Sequence, residues 1–411
     1  MTAPDTRCCI VGGGPAGMML GFLLARAGID VTVLEKHADF LRDFRGDTIH
    51  PSTLEVMHEL GLLDEFLRLP HQKARTLGGA FGSAQFTFVD FSHLPTVAKF
   101  IALMPQWDFL NFLADHGKRF PNFHLRMQTE ATDILEEAGR VVGVRARSPE
   151  GEIGIRADLV VACDGRHSVL RQRAGLKVED LGAPMDVLWF GLPHHANDPD
   201  QSMGRFEPGR IFVLIDRGDY WQCAYVIPKG TIEDVHRAGI EAFRRSLTQS
   251  MPMFADRVAE LKDWDQIKLL TVAVDRLTTW HRPGLLCIGD AAHAMSPIGG
   301  VGVNLAVQDA VAAANILWEP LQRGHASDAD LARVQKRREF PARVTQRIQI
   351  ALQNNVISRA LQASGELKVP LAIRLMARFP LLRRIPARLL GLGVRPEHVK
   401  TPERALTQNA A

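Results

Sequence analysis

A short apolar strand, Arg7 to Val11, runs directly into Gly12-Gly13-Gly14-Pro15-Ala16-Gly17 and then into an apolar stretch, Met18 to Ala27, closed by Gly28. No other feature restricts the fold of this chain as much. In G-x-G-x-x-G between a strand and a helix, Gly12 makes the turn and Gly14 lets the backbone reach a pyrophosphate. Gly17 lets the helix pack close to the strand. Pro15, followed by Ala16, suits a first helical position, and Gly28 suits a helix end. The next strand, Val31 to Leu34, ends on Glu35-Lys36, within the roughly 20-residue distance expected for a ribose-binding acid. Alone, Glu35 also reads as a solvated charge at a strand end. With strand, turn, helix and acid in register, dinucleotide binding is the better reading. Glutamate there suits a ribose with a free 2′-hydroxyl, as in FAD or NAD.

Two further strand–turn–helix units follow. Leu159 to Ala162 leads through Cys163 to Asp164-Gly165, with Ser168 and Arg171 facing the turn. Leu285 to Ile288 ends on Gly289-Asp290, and a Gly-rich turn, Pro297 to Gly302, feeds a helix beginning near Val301. Asp290 is placed to accept hydrogen bonds from a polyol, and the helix start offers free N–H groups and a positive dipole end. Asp164-Gly165 alone is an ordinary turn. Together the three units end their strands at one sheet edge, where open α/β sheets bind ligands.

These motifs, with Arg45 before His50-Pro51-Ser52 and Gln106 at the start of a helix Gln106 to His116, stand in a family order from Arg7 to about Ala314. The chain resembles the p-hydroxybenzoate hydroxylase-like FAD monooxygenases, the group A aromatic hydroxylases. The resemblance implies bound FAD and transient NADH or NADPH, with the Asp164-Gly165 region implicated in the nicotinamide contact. It implies O₂ addition at flavin C4a and transfer of one oxygen from the hydroperoxide to an aromatic ring, phenolic, polycyclic or heteroaromatic. It places Gly12, Gly14, Pro15, Ala16 and Gly17 at the pyrophosphate and Glu35 with Lys36 at the adenosine ribose. Arg45 and Gln106 fall at the pyrophosphate–ribityl region and Ala131 beside the adenine. Asp290 falls at the ribityl chain. The helix start, Gly300, Val301, Gly302 and Asn304, faces the pyrimidine edge, where reduction puts negative charge.

Catalytic residues are less legible. A phenol reacts faster as phenolate, so a proton acceptor would help. His50, Tyr225 and His293 are candidates, although each also reads as a structural hydrogen-bonding side chain; Pro297 would act through its carbonyl. Trp189, Phe206, Phe212, Trp221 and Tyr225 are candidate substrate walls, with ordinary strand core as the alternative for each.

The expected fold is α/β with α+β character. A Rossmann-type FAD lobe (residues 1–74, 102–180 and 277–320) is interleaved with a β-sheet substrate lobe (75–101 and 181–276), and a helical tail spans 321–411. Strands are expected at Gln85 to Phe91, Phe123 to Met127, Thr132 to Leu135, Val141 to Arg147, Gly154 to Arg156, Val187 to Leu192, Ile211 to Asp216, Trp221 to Ile227 and Lys268 to Val274. A single helix is expected over Ile232 to Thr248. The net charge of +3 over 411 residues gives no reason to expect nucleic acid. No apolar run is uninterrupted over a membrane span. No metal-ligand spacing occurs, and the five cysteines lack a CxxC pair. They read as buried thiols of a reducing cytoplasm. Monomer and homodimer both stay open. The arginine-rich stretch Val369 to Val394 reads either as a basic amphipathic surface on anionic lipid or as a layer packed on the FAD lobe or a partner. Its three prolines favour the layer. A halogenase is disfavoured because Cys223 to Pro228 keeps only the Ile-Pro of that subgroup's motif. A flavin reductase or dehydrogenase, or a non-catalytic aromatic-binding flavoprotein, remains a competing reading.

Overall fold

The computed structural model describes residues 5–41, 48–82, 84–199, 202–365 and 367–404. Its first sheet is built around five parallel strands in the order Phe123–Arg126, Val31–Leu34, Thr6–Val11, Gly151–Ala162 and Leu285–Cys287, with His281–Arg282 antiparallel at one edge. The three strands that lead into the turns, Thr6–Val11, Gly151–Ala162 and Leu285–Cys287, come from distant parts of the chain, and all end at the same edge. The two strands expected near Gly154 and Leu159 are one, Gly151–Ala162. No turn residue separates them. The first half pairs with Arg140–Ser148 in an antiparallel hairpin, and the apolar second half enters the parallel sheet.

The second sheet has seven strands in the order Lys268–Leu270, Met185–Pro193, Tyr220–Pro228, Arg210–Asp216, Met203–Glu207, Thr76–Phe81 and Ala84–Asp90. Met203–Glu207 was not anticipated from sequence. It joins the two separate stretches of chain by pairing in parallel with Thr76–Phe81. Glycine makes that junction close: a Cβ on Gly79 would stand 2.8 Å from the Gly204 carbonyl oxygen. A small third sheet of Thr48–Ile49, Ile101–Leu103 and Gln72–Ala74 lies apart from both. The expected helix over Ile232 to Thr248 is two, Ile232–Ala238 and Ile240–Ser250, because Gly239 breaks it with φ +85°.

Helix Pro15–Arg26 packs on helix Gly302–Gln322. The latter is apolar and long enough to cross a membrane by composition, but 78% of the qualifying stretch is buried inside the fold. Its sides are occupied by protein, as in a core helix. Ser327 caps the next helix, Asp328–Leu352, in a reciprocal capping box with Asp330, as the sequence predicts. Helices Leu371–Arg378 and Arg384–Gly391 lie on the edge strand Ala84–Asp90. Ala387 is fully buried there with Val89, Phe91 and Leu94. The arm therefore packs on the edge of the second sheet and, through Leu390 and Gly391, on His50, Pro51 and Gly299 of the nucleotide lobe, and it covers an edge that would otherwise be open to pairing.

Candidate active site

The glycines of the first turn play three different parts. Gly12 has φ +108°, and a Cβ there would stand 2.3 Å from the Cys163 carbonyl oxygen. A Cβ on Gly17 would stand 2.0 Å from the Gly12 carbonyl oxygen, so the helix sits on the strand end only because Gly17 has no side chain. A Cβ on Gly14 would meet nothing within 4 Å. Open space beside Gly14, at the start of a helix with Pro15 in its first turn, is what a pyrophosphate requires.

Glu35 is buried at the end of its strand. Its carboxylate accepts the Gly13 N–H at 3.0 Å and the His37 N–H at 3.0 Å, one on each oxygen. Lys36 is exposed, and Ala131 is buried just past Thr129, whose N–H bonds the Glu35 carbonyl. Gln106 opens its helix after Pro105, as expected. Arg45 lies outside the described residues.

Asp164 accepts the Leu170 N–H through Oδ2, while its buried Oδ1 has no hydrogen-bond partner. Burial pushes its carboxyl above the usual range, against the pull of Ser168. An orphaned acceptor beside the Gly12 turn fits a ligand that donates hydroxyls. Asp290 lies 3.8 Å from the Arg166 guanidinium across the site and is part exposed. Gly289 is wedged between the helices: a Cβ there would sit 3.1 Å from Ala16 and 3.4 Å from Ala306. Arg171 links the two acidic turns. It donates to the Ala291 carbonyl at 3.3 Å and to Asp275 at 3.4 Å.

Past Pro297, a tight turn over Ile298–Gly300 leads into the helix at Gly302, with Val301 as its N-cap. The N–H groups of that first helical turn have no intrahelical acceptors. The Pro297 carbonyl accepts the Gly300 N–H at 3.0 Å. The Asn304 side chain faces protein. It accepts from His50 N–H at 2.8 Å and Thr53 Oγ1 at 2.7 Å, and donates to the Thr48 and Gly300 carbonyls. All four of its hydrogen-bonding sites are used, so Asn304 braces the loop through its side chain.

Two of the candidate bases are buried, and the third, Tyr225, is half-buried. His50 is fully buried. Its Nδ1–H donates to the Leu390 carbonyl at 2.8 Å, and burial depresses its pKa to about 4. His293 is buried beneath the Gly289-Asp290 turn, 2.6 Å from Asp309. Desolvation lowers its pKa, but the Asp309 charge and hydrogen bond outweigh this and hold it above the ordinary value. Tyr225 donates to or accepts from Ser246 at 3.2 Å and packs edge-on to Phe212 and Phe243. His50 and His293 are closed to a substrate, and the Tyr225 hydroxyl is engaged with Ser246.

His50 yields a pH prediction. A histidine whose folded pKa is depressed opposes folding once the unfolded chain binds the proton. Stability is full above the unfolded value of about 6.5 and declines as the pH falls towards about 4. The 2.5-unit gap corresponds to roughly 3 kcal/mol. Urea unfolding at pH 7 and pH 4.5 should show a loss that His50→Gln largely removes; equal losses in both proteins would refute the assignment.

The substrate walls divide between two faces. Phe212, Trp221 and Tyr225 join Leu188, Phe190, Phe243 and Leu247 under helix Ile240–Ser250. Trp189 and Phe206 lie on the opposite face, which packs against Ile298 of the glycine turn. The expectation for Phe212, Trp221 and Tyr225 is thereby corrected: they form the helix-covered core. Strand alternation fixed which residues share a face, but the sequence did not say which face the helix covers. Phe81 stacks on Phe206 at 4.6 Å and extends the inner wall.

Sequence reasoning missed Asp309, Arg338, Asp275 and Gln346. Asp309 Oδ2 also accepts the Gly289 N–H, and Oδ1 accepts Arg338 Nε at 2.9 Å. The available signal was a lone carboxylate inside the apolar stretch Val303 to Ala314. Burial pushes the thiols of Cys8, Cys9 and Cys287 up, Cys9 to about 12, so they are inert packing groups.

Known proteins agree with this geometry. A family model described as "FAD binding domain" matches residues 5–348. The chain belongs to this family of FAD-dependent aromatic monooxygenases, and FAD is its cofactor. It is 31% identical over 398 residues to 6-methylpretetramide 4-monooxygenase of Streptomyces rimosus, covering 93% of this chain and 92% of that one. It is 25% identical to para-nitrophenol 4-monooxygenase of a Pseudomonas, covering 77% and 78%. The crystal structure of pqsL, a probable FAD-dependent monooxygenase from Pseudomonas aeruginosa, matches with a TM-score of 0.74 at 22% identity, over 87% of this chain and 98% of that one. That likeness concerns the fold.

Proposed function

We propose that the chain is an NAD(P)H-dependent hydroxylase of a fused or extended aromatic small molecule, with residues 1–74, 102–180 and 277–320 holding FAD and residues 75–101 and 181–276 holding substrate. The observation that carries this reading is the juxtaposition of the Pro297–Gly302 turn with the inner face of the second sheet, where Ile298 meets the cluster containing Trp189 and Phe206. The similarity to 6-methylpretetramide 4-monooxygenase, whose name describes a polycyclic substrate, supports the fused-ring class.

FAD, once reduced by NAD(P)H, supplies the oxygen-activating chemistry. The chain's residues bind, orient and exclude water. Gly14 leaves room for the pyrophosphate, Glu35 and Asp290 would accept ribose and ribityl hydroxyls, and Gln106, at the start of its helix, would contact the pyrophosphate–ribityl region. The first helical turn after Val301 offers N–H groups and the dipole end to developing negative charge at the flavin's pyrimidine edge. With His50 and His293 buried and the Tyr225 hydroxyl engaged with Ser246, a substrate hydroxyl meets backbone carbonyls such as that of Pro297, or water.

The test is a panel of phenols, hydroxyquinolines and polycyclic phenols, following NADH and NADPH oxidation, oxygen uptake, peroxide release and product mass. A compound that accelerates oxidation and leaves one oxygen heavier supports the hydroxylase. Flavin reduction without oxygen incorporation across the panel would identify a reductase instead. In the same assay Trp189→Ala should raise KM at least roughly ten-fold, the share of one lost aromatic contact of about 1.4 kcal/mol. Tyr225→Phe should leave KM unchanged and cost only about 1 kcal/mol of stability. The reverse ranking would place the substrate on the other face of the sheet.

A further inference from the structure

We propose that the two C-terminal helices dock on the surface of an anionic lipid bilayer. Helix Leu371–Arg378 and the turn after it expose Leu371, Leu375 and Phe379 at 67%, 41% and 53%. The following turn and helix expose Leu381, Ile385 and Leu389 at 67%, 60% and 40%. Leu371 and Leu375 stand i, i+4 on one helix and Ile385 and Leu389 i, i+4 on the other, with Phe379 and Leu381 exposed in the turn between them. Arginines accompany both stripes: Arg374 and Arg378 follow the first by three residues, and Arg384 and Arg388 the second, all of them exposed. The prolines that rule out one long amphipathic helix leave two short ones with the same design.

The inner side of this arm is already occupied. Ala387 is buried against the edge strand, and a Cβ on Gly391 would stand 2.5 Å from Leu94. The outer stripes therefore face away from the protein. Exposed apolar side chains this closely grouped are a surface feature that calls for a partner. Charge selects which one. From Leu367 to Pro396 the chain has no Asp or Glu, and it carries Lys368, Arg374, Arg378, Arg383, Arg384, Arg388 and Arg395. In a two-fold dimer through this face the patch would meet the same patch of the other copy, and because it holds no acidic residue the arginines of the two copies would be brought together. An anionic bilayer answers both features: the apolar stripes enter the headgroup–acyl boundary, and the guanidinium groups reach lipid phosphates. The arm also touches the site. The Leu390 carbonyl holds His50, and Leu390 lies against Gly299 of the flavin-facing turn.

The experiment is co-sedimentation of the full-length, FAD-loaded protein with phosphatidylcholine vesicles, with and without phosphatidylglycerol. Partitioning onto the anionic vesicles should exceed that onto phosphatidylcholine at least roughly ten-fold and fall as salt is raised. Arg384→Gln with Arg388→Gln should weaken it roughly thirty-fold, about 1 kcal/mol for each charge. Leu381→Asp with Ile385→Asp should abolish it. FAD retention and the unfolding midpoint should be unchanged in both variants, because all four residues are exposed. Equal partitioning onto both vesicle types, none onto either, or full binding by either variant would overturn the proposal. So would a dimer that Leu381→Asp with Ile385→Asp dissolves without any vesicle binding, which would make the partner a second copy of the chain.

Discussion

Asp309→Asn should release FAD and lower stability by about 3–5 kcal/mol, the usual cost of breaking a buried ion pair from one side. Asp309 is fully buried, yet it carries three contacts: the Gly289 N–H, His293 and Arg338. Burial alone would raise its carboxyl, but the charges of His293 and Arg338 hold it below the usual range. Asparagine keeps the shape and loses the charge. Its amide nitrogen must also face at least one of three donors. Arg338 retains Glu397 at 3.4 Å, whereas among the described residues the His293 ring bonds to Asp309 alone, its Nδ1 having no partner. The damage reaches the cofactor because Gly289, which Asp309 pins, immediately precedes Asp290. The pH dependence has two sides. The His293 pKa is raised, so its contribution is complete below the unfolded value of about 6.5 and is lost as pH rises through the folded value. Asp309 is depressed, so its contribution is present above about 3.9 and is lost as pH falls through its folded pKa. Thermal unfolding and FAD titration of both proteins test this. An Asp309→Asn variant with wild-type flavin affinity and an unchanged midpoint would sink it, as would an alkaline decline that persists undiminished in His293→Asn.

What the sequence revealed and what it hid follow from separation along the chain. Each nucleotide turn is a contiguous string, and its chemistry depends on neighbours: Gly12 with Gly17, Gly289 with Asp290. Such features are legible without tertiary structure. The braces are different. Arg171 reaches Asp275 and Ala291 over more than a hundred residues, and Arg338 meets Asp309 only because two helices pack. A local pattern marks such side chains as unusual but does not give their partners. The substrate sheet shows the intermediate case. Alternation correctly separates Trp189 from Phe190 and Phe212 from Val213, yet which set faces the flavin depends on where helix Ile240–Ser250 lands. The tail was ambiguous for a related reason: its periodicity is real, but three prolines divide it, and only the packed arm shows which stripe is left outside.

Gly14→Val separates the cofactor from the fold. Gly14 has φ −77° and ψ −174°, an extended conformation open to any residue, and a Cβ there meets no protein atom within 4 Å. Valine should therefore leave the apoprotein's unfolding midpoint close to that of the wild type. The new methyl groups enter the open space beside the helix start that is proposed to hold the pyrophosphate. Overpacking of that kind costs about 1–3 kcal/mol, so FAD affinity should fall up to roughly 100-fold. Gly17→Ala gives the opposite pattern. Its Cβ would stand 2.0 Å from the Gly12 carbonyl oxygen, so the helix must move and apoprotein stability falls with flavin binding. Measuring apoprotein unfolding and FAD affinity for both variants tests the division of labour among the three glycines. If Gly14→Val instead binds FAD as the wild type does, the pyrophosphate lies elsewhere. The assignments of Glu35 and Asp290, which flank the same turn, would then have to be redrawn from a new anchor.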